Sequence, residues 1–285
     1  MKTTVCYIIL LLFCVIYNPC TANTVGSDSI RVLVHKKERA KAYMRWEVKS
    51  ISQFIDRFNY EKFIDDELFT DSIKNVYSRQ YYLLKLFNEE DERLLSKKQK
   101  VEYYAKIQNL IDAICSNSTK IAKEASQKAS IVLNGTYQNK PISIALQLQK
   151  QVDIQDHSVA WFITKVEVPT EFLTKKTFSP AIPLDTFQTS HRGLYPNAAD
   201  VSFVPLLQHI NSEKSIHSLL LPPLTFTPEL RWMEHTLKEG TLLGNVIGEV
   251  KIHLKVNDYY TIELQNFSRE KENSGWLITD ILTHY

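Results

Sequence analysis

Apolar residues recur at three- and four-residue steps through the first half of the chain, a spacing typical of amphipathic helices. A first stripe comprises Met44, Val48, Ile51, Phe54, Ile55 and Phe58. A second comprises Ile73, Val76, Tyr77, Leu84 and Phe87, and a third comprises Leu94, Val101, Tyr104, Ile107, Ile111 and Ile114. We therefore predict helices over about 30–127, each apolar on one side and each in need of a partner surface.

Near residue 128 the pattern changes to the alternation that is typical of strands. A first strand begins at Ala129, and it ends either at a two-residue turn at Asn134-Gly135 or farther on, at Asn139-Lys140-Pro141. We favour the longer strand, because the residues after the second turn alternate cleanly. These are Ile142, Ile144, Leu146 and Leu148. A third strand is predicted over 159–168.

Proline is concentrated in the next segment, since seven of the ten prolines lie between residues 170 and 228. This predicts a long irregular insertion with one short helix near Val201–Ile210. A helix over 229–239 follows, ended by Gly240, and three strands then close the chain. The strands are predicted at Val246–Val256, Tyr259–Phe267 and Trp276–Leu282. The expected fold is α+β, with N-terminal helices packed on a curved antiparallel sheet formed by about 128–168 and 245–283.

The first 22 residues have the layout of an export signal. Lys2 precedes an apolar stretch from Val5 to Tyr17, and Cys20-Thr21-Ala22 forms a small-x-small cleavage site. We expect cleavage before Asn23, a single mature domain over 23–285, and a periplasmic or extracellular location. An uncleaved anchor is disfavoured because the apolar stretch is shorter than the about 20 residues that span a bilayer. A lipid on Cys20, which would attach the protein peripherally to a membrane, is the other alternative.

Composition and missing motifs exclude several classes of function. The formal net charge is +2, from 34 basic and 32 acidic residues, which gives no electrostatic case for a nucleic-acid partner. There are 7 glycines, and neither Gly-x-Ser-x-Gly, His-Glu-x-x-His nor Cys-x-x-Cys occurs. The sequence therefore predicts no metal site and no cofactor. Cys115 is the one cysteine outside the first 22 residues, and its apolar helical setting predicts a buried structural thiol.

Candidate chemistry is concentrated in the loop from Thr189 to Asn197. Arg192 is suited to hold a carboxylate or phosphate with two hydrogen bonds, and His191 and Tyr195 add polar groups beside it. The alternative is that these side chains satisfy carbonyl groups of their own loop.

Other charged and titratable residues are weaker candidates. Among the histidines, His209 and His217 are eight residues apart, and His253 lies in a strand where it faces solvent or lines a pocket. Seven basic residues between 31 and 49 form either a contact with anionic lipid or a solvated helix face.

Two segments carry a resemblance to a known fold. They are the run from Val250 to Leu264 followed by Gly275 to Ile281, and the segment Ser52–Asn59. The first is similar to the last strands, and the second to the first helix, of the nuclear transport factor two-like α+β cone. The resemblance implies a cone that serves as an enzyme pocket, a ligand pocket or a structural module, so it assigns no catalytic residue.

Three functions follow as expectations. The first is a non-enzymatic binding or assembly module for an envelope protein or small ligand. The second is a hydrolase or isomerase that uses His191 or His253 with a carboxylate in the cone. The third is a structural component of a secretion or conjugation machine.

Overall fold

Helices and strands follow one another along the chain in a computed structural model that describes residues 46–123, 127–152, 159–173, 193–194, 203–221 and 227–284. All of them belong to one compact unit, residues 42–285. The helices are α1 (Ile51–Phe58), α2 (Asp71–Val76), α3 (Arg79–Leu84), α4 (Glu92–Leu95), α5 (Lys100–Ser116), α6 (Val204–Glu213) and α7 (Pro228–Lys238). The strands are β1 (Gln127–Tyr137), β2 (Lys140–Val152), β3 (Val159–Glu167), β4 (Leu242–Lys255), β5 (Tyr260–Phe267) and β6 (Gly275–Thr283).

The six strands form one open antiparallel sheet in the order β3-β2-β1-β4-β5-β6. Alternate strand residues, such as Ile131, Leu146 and Leu254, are buried on one face and join the helices in a single apolar core. The predicted α+β class is therefore correct. Polar residues that alternate with these buried ones, such as Lys128 and Ser130, lie on the opposite face.

The β1–β2 hairpin confirms the longer of the two predicted strands. β1 continues through Asn134 and Gly135, and the chain turns at Gln138 and Asn139, both of which have positive φ. Two successive positive φ values are what a tight two-residue hairpin turn requires. The turn lies one residue earlier than predicted, and Pro141 is already within β2.

Helix α1 is shorter than the first apolar stripe predicted. It begins at Ile51 because the Ser50 side chain accepts a hydrogen bond from the Gln53 backbone N–H at 3.1 Å, which caps the helix. Val48 lies outside the helix and forms a parallel bridge with Gly275 at the edge of β6. Met44 lies outside the described residues.

The second predicted stripe is wrong as one continuous helix. The Ser78 hydroxyl caps a new helix, so α2 and α3 are separate and the helical phase starts again. Val76 is consequently 72% exposed, whereas Tyr82 and Leu83 are buried.

The third stripe is correct only in its second half. In α5 the predicted Ile107, Ile111 and Ile114 are buried, but Val101 is 77% exposed and Tyr103 is buried in place of Tyr104.

The described parts of the proline-rich insertion contribute to the core. Leu194 bridges Trp161, and Leu220 bridges Ile163, so the insertion pairs with the outer edge of β3. The predicted short helix is present as α6, shifted toward the C-terminus. The buried apolar residues of this part are Phe203, Leu206, Ile210, Ile216 and Leu219.

The C-terminal helix and strands are all present, but β4 begins at Leu242 and not at the predicted Val246. α7 ends at Lys238 and is followed by Gly240 with a φ of 68°. The three closing strands are present, and Trp276 is 1% exposed.

Candidate functional site

An open groove of about 510 Å³ lies on the face of the sheet opposite the core. Four adjacent strands, β4, β1, β2 and β3, form its base. The polar side chains that line it are those of Lys128, Ser130, Gln147, Gln149, Thr164, Lys165 and His253.

Strand register brings these residues together. Lys128 of β1 is paired with His253 of β4 on one side and with Gln149 of β2 on the other. Ser130, two residues along β1, is paired with Lys251 and Gln147 in the same way. Residues two apart on a strand point to the same face, so two neighbouring rows of polar side chains cross the sheet.

The lining of the groove is basic. Lys128 is exposed and makes no ion pair with any described residue, while Lys165 pairs with Glu167 at 2.6 Å. None of the described lining residues carries a carboxylate. Beside the groove, Lys251 is neutralised by Glu263 at 3.2 Å. The groove therefore attracts anions rather than cations.

Ser130 and His253 are in hydrogen-bond contact, with Oγ and Nε2 separated by 3.1 Å. Burial lowers the pKa of His253. The carboxylate of Glu263 opposes this shift, and the charges of Lys251 and Lys128 add to it. The surroundings therefore favour the neutral form of the imidazole.

The Ser130–His253 pair lacks the other groups of a serine nucleophile. Glu263 is opposite His253 in the sheet, but its carboxylate contacts Lys251 and Thr279. Ser130 lies in the middle of β1 with a paired strand on each side, so the neighbouring backbone N–H groups are directed along the sheet. An oxyanion site needs such donors free and converging on one point.

The helical face of the sheet is filled by apolar side chains. A small cavity bounded by Trp46, Arg57 and Asn273 among others measures about 40 Å³, which is room for a few water molecules only. His253 lies on the other face, so among the described residues it does not line a pocket on the helical side.

The predicted loop site falls largely outside the described residues. His191, Arg192 and Tyr195 all lie there, as do Asp185 and Asp200. Within that loop the structure describes Gly193 and Leu194.

Gly193 has a φ of 54° and lies against β3. A side-chain carbon there would come within 2.7 Å of the Ala160 Cβ. The loop therefore contacts β3 at Gly193, the residue that directly follows His191 and Arg192 in the sequence.

The remaining candidates have structural partners. The His209 ring contacts the Ser218 hydroxyl at 2.9 Å, and His217 pairs with Glu234 at 3.1 Å. No group of three His, Cys, Asp or Glu within the described ranges could hold a metal ion. Cys115 is half-buried, and burial raises the pKa of its thiol.

The groove is not predicted from the sequence. Lys128 and Ser130 alternate with buried residues of β1, which marks them as one outward face. Their contact with His253 depends on strand order and register, because Ser130 and His253 are 123 residues apart in the sequence. The alternation of apolar and polar residues does not predict strand order or register.

Comparison with known proteins identifies no family. No family model matches the chain, and neither a curated protein nor a solved structure matches it. The resemblance to the nuclear transport factor two-like cone therefore stays a prediction. None of the described helices is both long and apolar enough to cross a membrane.

Proposed function

We propose that the protein is an exported, non-enzymatic binding module that holds an anionic group in the groove on its open sheet face. The observation that supports this most directly is the composition of the groove, which combines the unpaired ammonium group of Lys128 with hydroxyl groups and amides and has no carboxylate in its described lining. The ligand class that fits is a small molecule, or a part of an envelope partner, that carries a carboxylate or phosphate.

Charge attraction and hydrogen bonds would both contribute to the binding of an anion in this groove. Lys128 supplies an ammonium group that no carboxylate of a described residue neutralises. Ser130 and Gln147 supply hydrogen-bonding groups at fixed spacing, because they are paired with each other on neighbouring strands. The groove is open to water, so the attraction is screened and weakens as salt rises.

Titration by NMR tests the proposal. Inorganic phosphate and glucuronate are the anionic probes, and glucose is the neutral one. We expect both anions to shift the backbone signals of Ser130 and His253, and Lys128→Ala to weaken their binding by about fivefold, the size of an exposed charge interaction.

The matched control is Lys140→Ala, since Lys140 is an exposed lysine at the far end of the same hairpin. Binding should be unchanged in this variant. Equal binding by the parent and Lys128→Ala, or shifts with glucose as large as with the anions, would contradict the proposal.

The contact between Ser130 and His253 supports a second candidate, an acyl hydrolase with Ser130 as nucleophile. It differs from the predicted hydrolase or isomerase, which would use His253 with a carboxylate. A nitrophenyl ester assay distinguishes the two functions. Turnover above the background rate that is abolished in both Ser130→Ala and His253→Gln would establish the hydrolase. Turnover that persists in both variants excludes it.

A further inference from the structure

The corner between α4 and α5 presents the two most exposed large apolar side chains of the described residues. Leu95, the last residue of α4, is 74% exposed, and Val101, in the first turn of α5, is 77% exposed. Tyr104, one turn farther along α5, is 46% exposed and extends this apolar strip. Single exposed apolar side chains are ordinary, but a cluster of them indicates a contact surface.

A hydrogen-bonded turn brings these side chains together. The Lys100 N–H donates to the Ser96 carbonyl at 3.0 Å, so the end of α4 lies beside the start of α5, and Leu95 and Val101 flank one turn of chain. Tyr103 is buried two residues after Val101. Residues two apart on a helix point about 200° apart, so Val101 is directed away from the core.

Three lysines lie in the same turn. Lys97, Lys98 and Lys100 are all exposed, and none of them makes an ion pair with a described residue. The ammonium group of Lys100 lies over the Tyr104 ring, 5.6 Å from its centre. The corner therefore combines apolar side chains with positive charge that the described part of the chain does not neutralise.

Nearby carboxylates leave this charge in place. From residue 93 to residue 111 the sequence contains five basic residues and one acidic residue, Glu102. Two of the basic residues, Arg93 and Lys106, pair with Asp280 at 3.1 and 3.2 Å. The first residue of α4 is a glutamate, and it lines a separate open cleft beside β5 and β6. The balance at the turn is thus three lysines against one glutamate.

We propose that the α4–α5 corner is a peripheral docking site for a membrane surface that contains anionic lipid. Leu95 and Val101 enter the boundary between headgroups and acyl chains, and the lysines of the turn contact the anionic headgroups. The site is independent of the anion groove, because none of its residues lines that groove.

The composition of the corner favours a lipid surface over a protein partner. All three unpaired cations are lysines, which are depleted in protein interfaces. At a membrane, a lysine keeps its ammonium group among the headgroups while its methylene groups lie in apolar surroundings. Leu95 and Val101 protrude from a turn and line neither the groove nor the small cavity, so a deformable surface suits them better than a rigid partner. A second copy of this corner would add like charges.

Cosedimentation of residues 23–285 with lipid vesicles tests the proposal. One set of vesicles contains phosphatidylcholine and phosphatidylglycerol at about three to one, and the other contains phosphatidylcholine alone. We expect half of the protein to bind the mixed vesicles at about 1 mM lipid, which is weaker than the binding of a single myristoyl chain. Binding to phosphatidylcholine should be at least about tenfold weaker, and about 0.5 M salt should release the protein from the mixed vesicles.

Two double variants provide a matched pair for the apolar contact. Leu95→Gln with Val101→Gln should weaken binding to the mixed vesicles about tenfold, because the apolar tips no longer enter the membrane. Leu68→Gln with Val76→Gln replaces the same residue types, 70% and 72% exposed, outside the corner and should change binding less than about twofold. All four sites are exposed, so the circular dichroism spectra should equal that of the parent.

A second pair tests the charge. Lys97→Ala with Lys98→Ala should weaken binding about twentyfold, since each lysine close to an anionic surface contributes about fivefold. Lys36→Ala with Lys37→Ala removes two charges from the basic segment 31–49, which the sequence offers as another lipid contact, and should change binding less than about twofold.

Lys128→Ala should bind the mixed vesicles as the parent does, which separates this result from a failure of the anion groove. Absence of binding to the mixed vesicles, or equal binding by the Leu95→Gln, Val101→Gln variant and its control, would overturn the proposal. A loss confined to the variant of segment 31–49 or to Lys128→Ala would also overturn it and assign the lipid contact to those residues. Binding of polyglutamate without binding of vesicles would assign the corner to an acidic protein instead.

Discussion

A single carboxylate, that of Glu234, joins the insertion to helix α7. It accepts hydrogen bonds from the Ser215 hydroxyl and the Ile216 N–H, both at 2.9 Å, and it pairs with Lys238 at 3.0 Å. Burial alone would raise its pKa. The hydrogen bonds of His217, Ile216 and Lys238 outweigh burial, and the pKa of Glu234 falls from 4.5 to about 2.

We expect acid to destabilise the protein through this residue. A carboxyl with a depressed pKa contributes stability above its unfolded pKa, so the contribution of Glu234 is complete above pH 4.5 and is lost as pH falls toward 2. Glu234→Gln should lower the free energy of unfolding at pH 7 by about 3 kcal/mol and flatten its decline between those pH values. Urea unfolding at several pH values measures both effects.

Glu213→Gln is the control for Glu234, because Glu213 is an exposed glutamate at the end of α6. Its stability profile should follow that of the parent. If the free energy of unfolding of Glu234→Gln fell with pH as steeply as that of the parent, another group would be responsible for the acid dependence.

At the scale of elements, the bridge between Val48 and β6 fixes where α1 begins on the sheet. Gly275 has a φ of 80°, and a side-chain carbon there would come within 2.2 Å of the Val48 carbonyl oxygen. Gly240 also has a positive φ, of 68°, but nothing lies within 4 Å of the same position. Alanine at Gly240 therefore tests the free-energy cost of backbone strain alone, whereas alanine at Gly275 tests strain together with a steric clash.

Gly240→Ala should cost about 1 kcal/mol of stability, the strain of a left-handed alanine. Gly275→Ala should cost about 3 kcal/mol or more, because Val48 must also move. Chemical denaturation of the two variants checks the difference. Equal costs would mean that the Val48 segment moves away freely and does not anchor α1.

The elements that the sequence predicts well are those whose pattern is local. The alternation Ile142, Ile144, Leu146 and Leu148 defines β2 without reference to any other strand, and Gly240 marks the end of α7. The second predicted helix is wrong because Ser78 caps a new helix, and the buried side of that helix is not continuous with that of the helix before it. A repeat at three- and four-residue steps does not show such a break.

The candidate sites depend on strand order and register, and the sequence predicts them poorly. The groove needs Lys128 beside His253, and that contact needs β1 to lie next to β4 in the sheet. Neither can be derived from one strand alone. The loop with Arg192 is a candidate anion site because its polar residues are adjacent in sequence, and that role stays a prediction.

At the scale of the whole molecule, the predicted export signal determines which chain we expect to fold. The predicted cleavage site gives a mature protein that begins at Asn23, with Cys115 as its one cysteine. Intact mass of the product secreted from an expressing bacterial cell should correspond to residues 23–285. A mass that begins at Cys20 and includes acyl chains would establish lipidation instead, and retention of the first 22 residues would establish an anchor.

The middle of the sheet joins two strands that are far apart in sequence. β1 ends at Tyr137, and its neighbour β4 begins at Leu242, after the entire insertion and α7. Contacts of such long range slow folding, because the intervening chain must be ordered before the pairing is gained. When the chain emerges N-terminus first, the β1–β2–β3 meander precedes its central neighbour and presents an unpaired β1 edge to the surroundings. This interval is the period in which the protein is most exposed to aggregation and most in need of a chaperone.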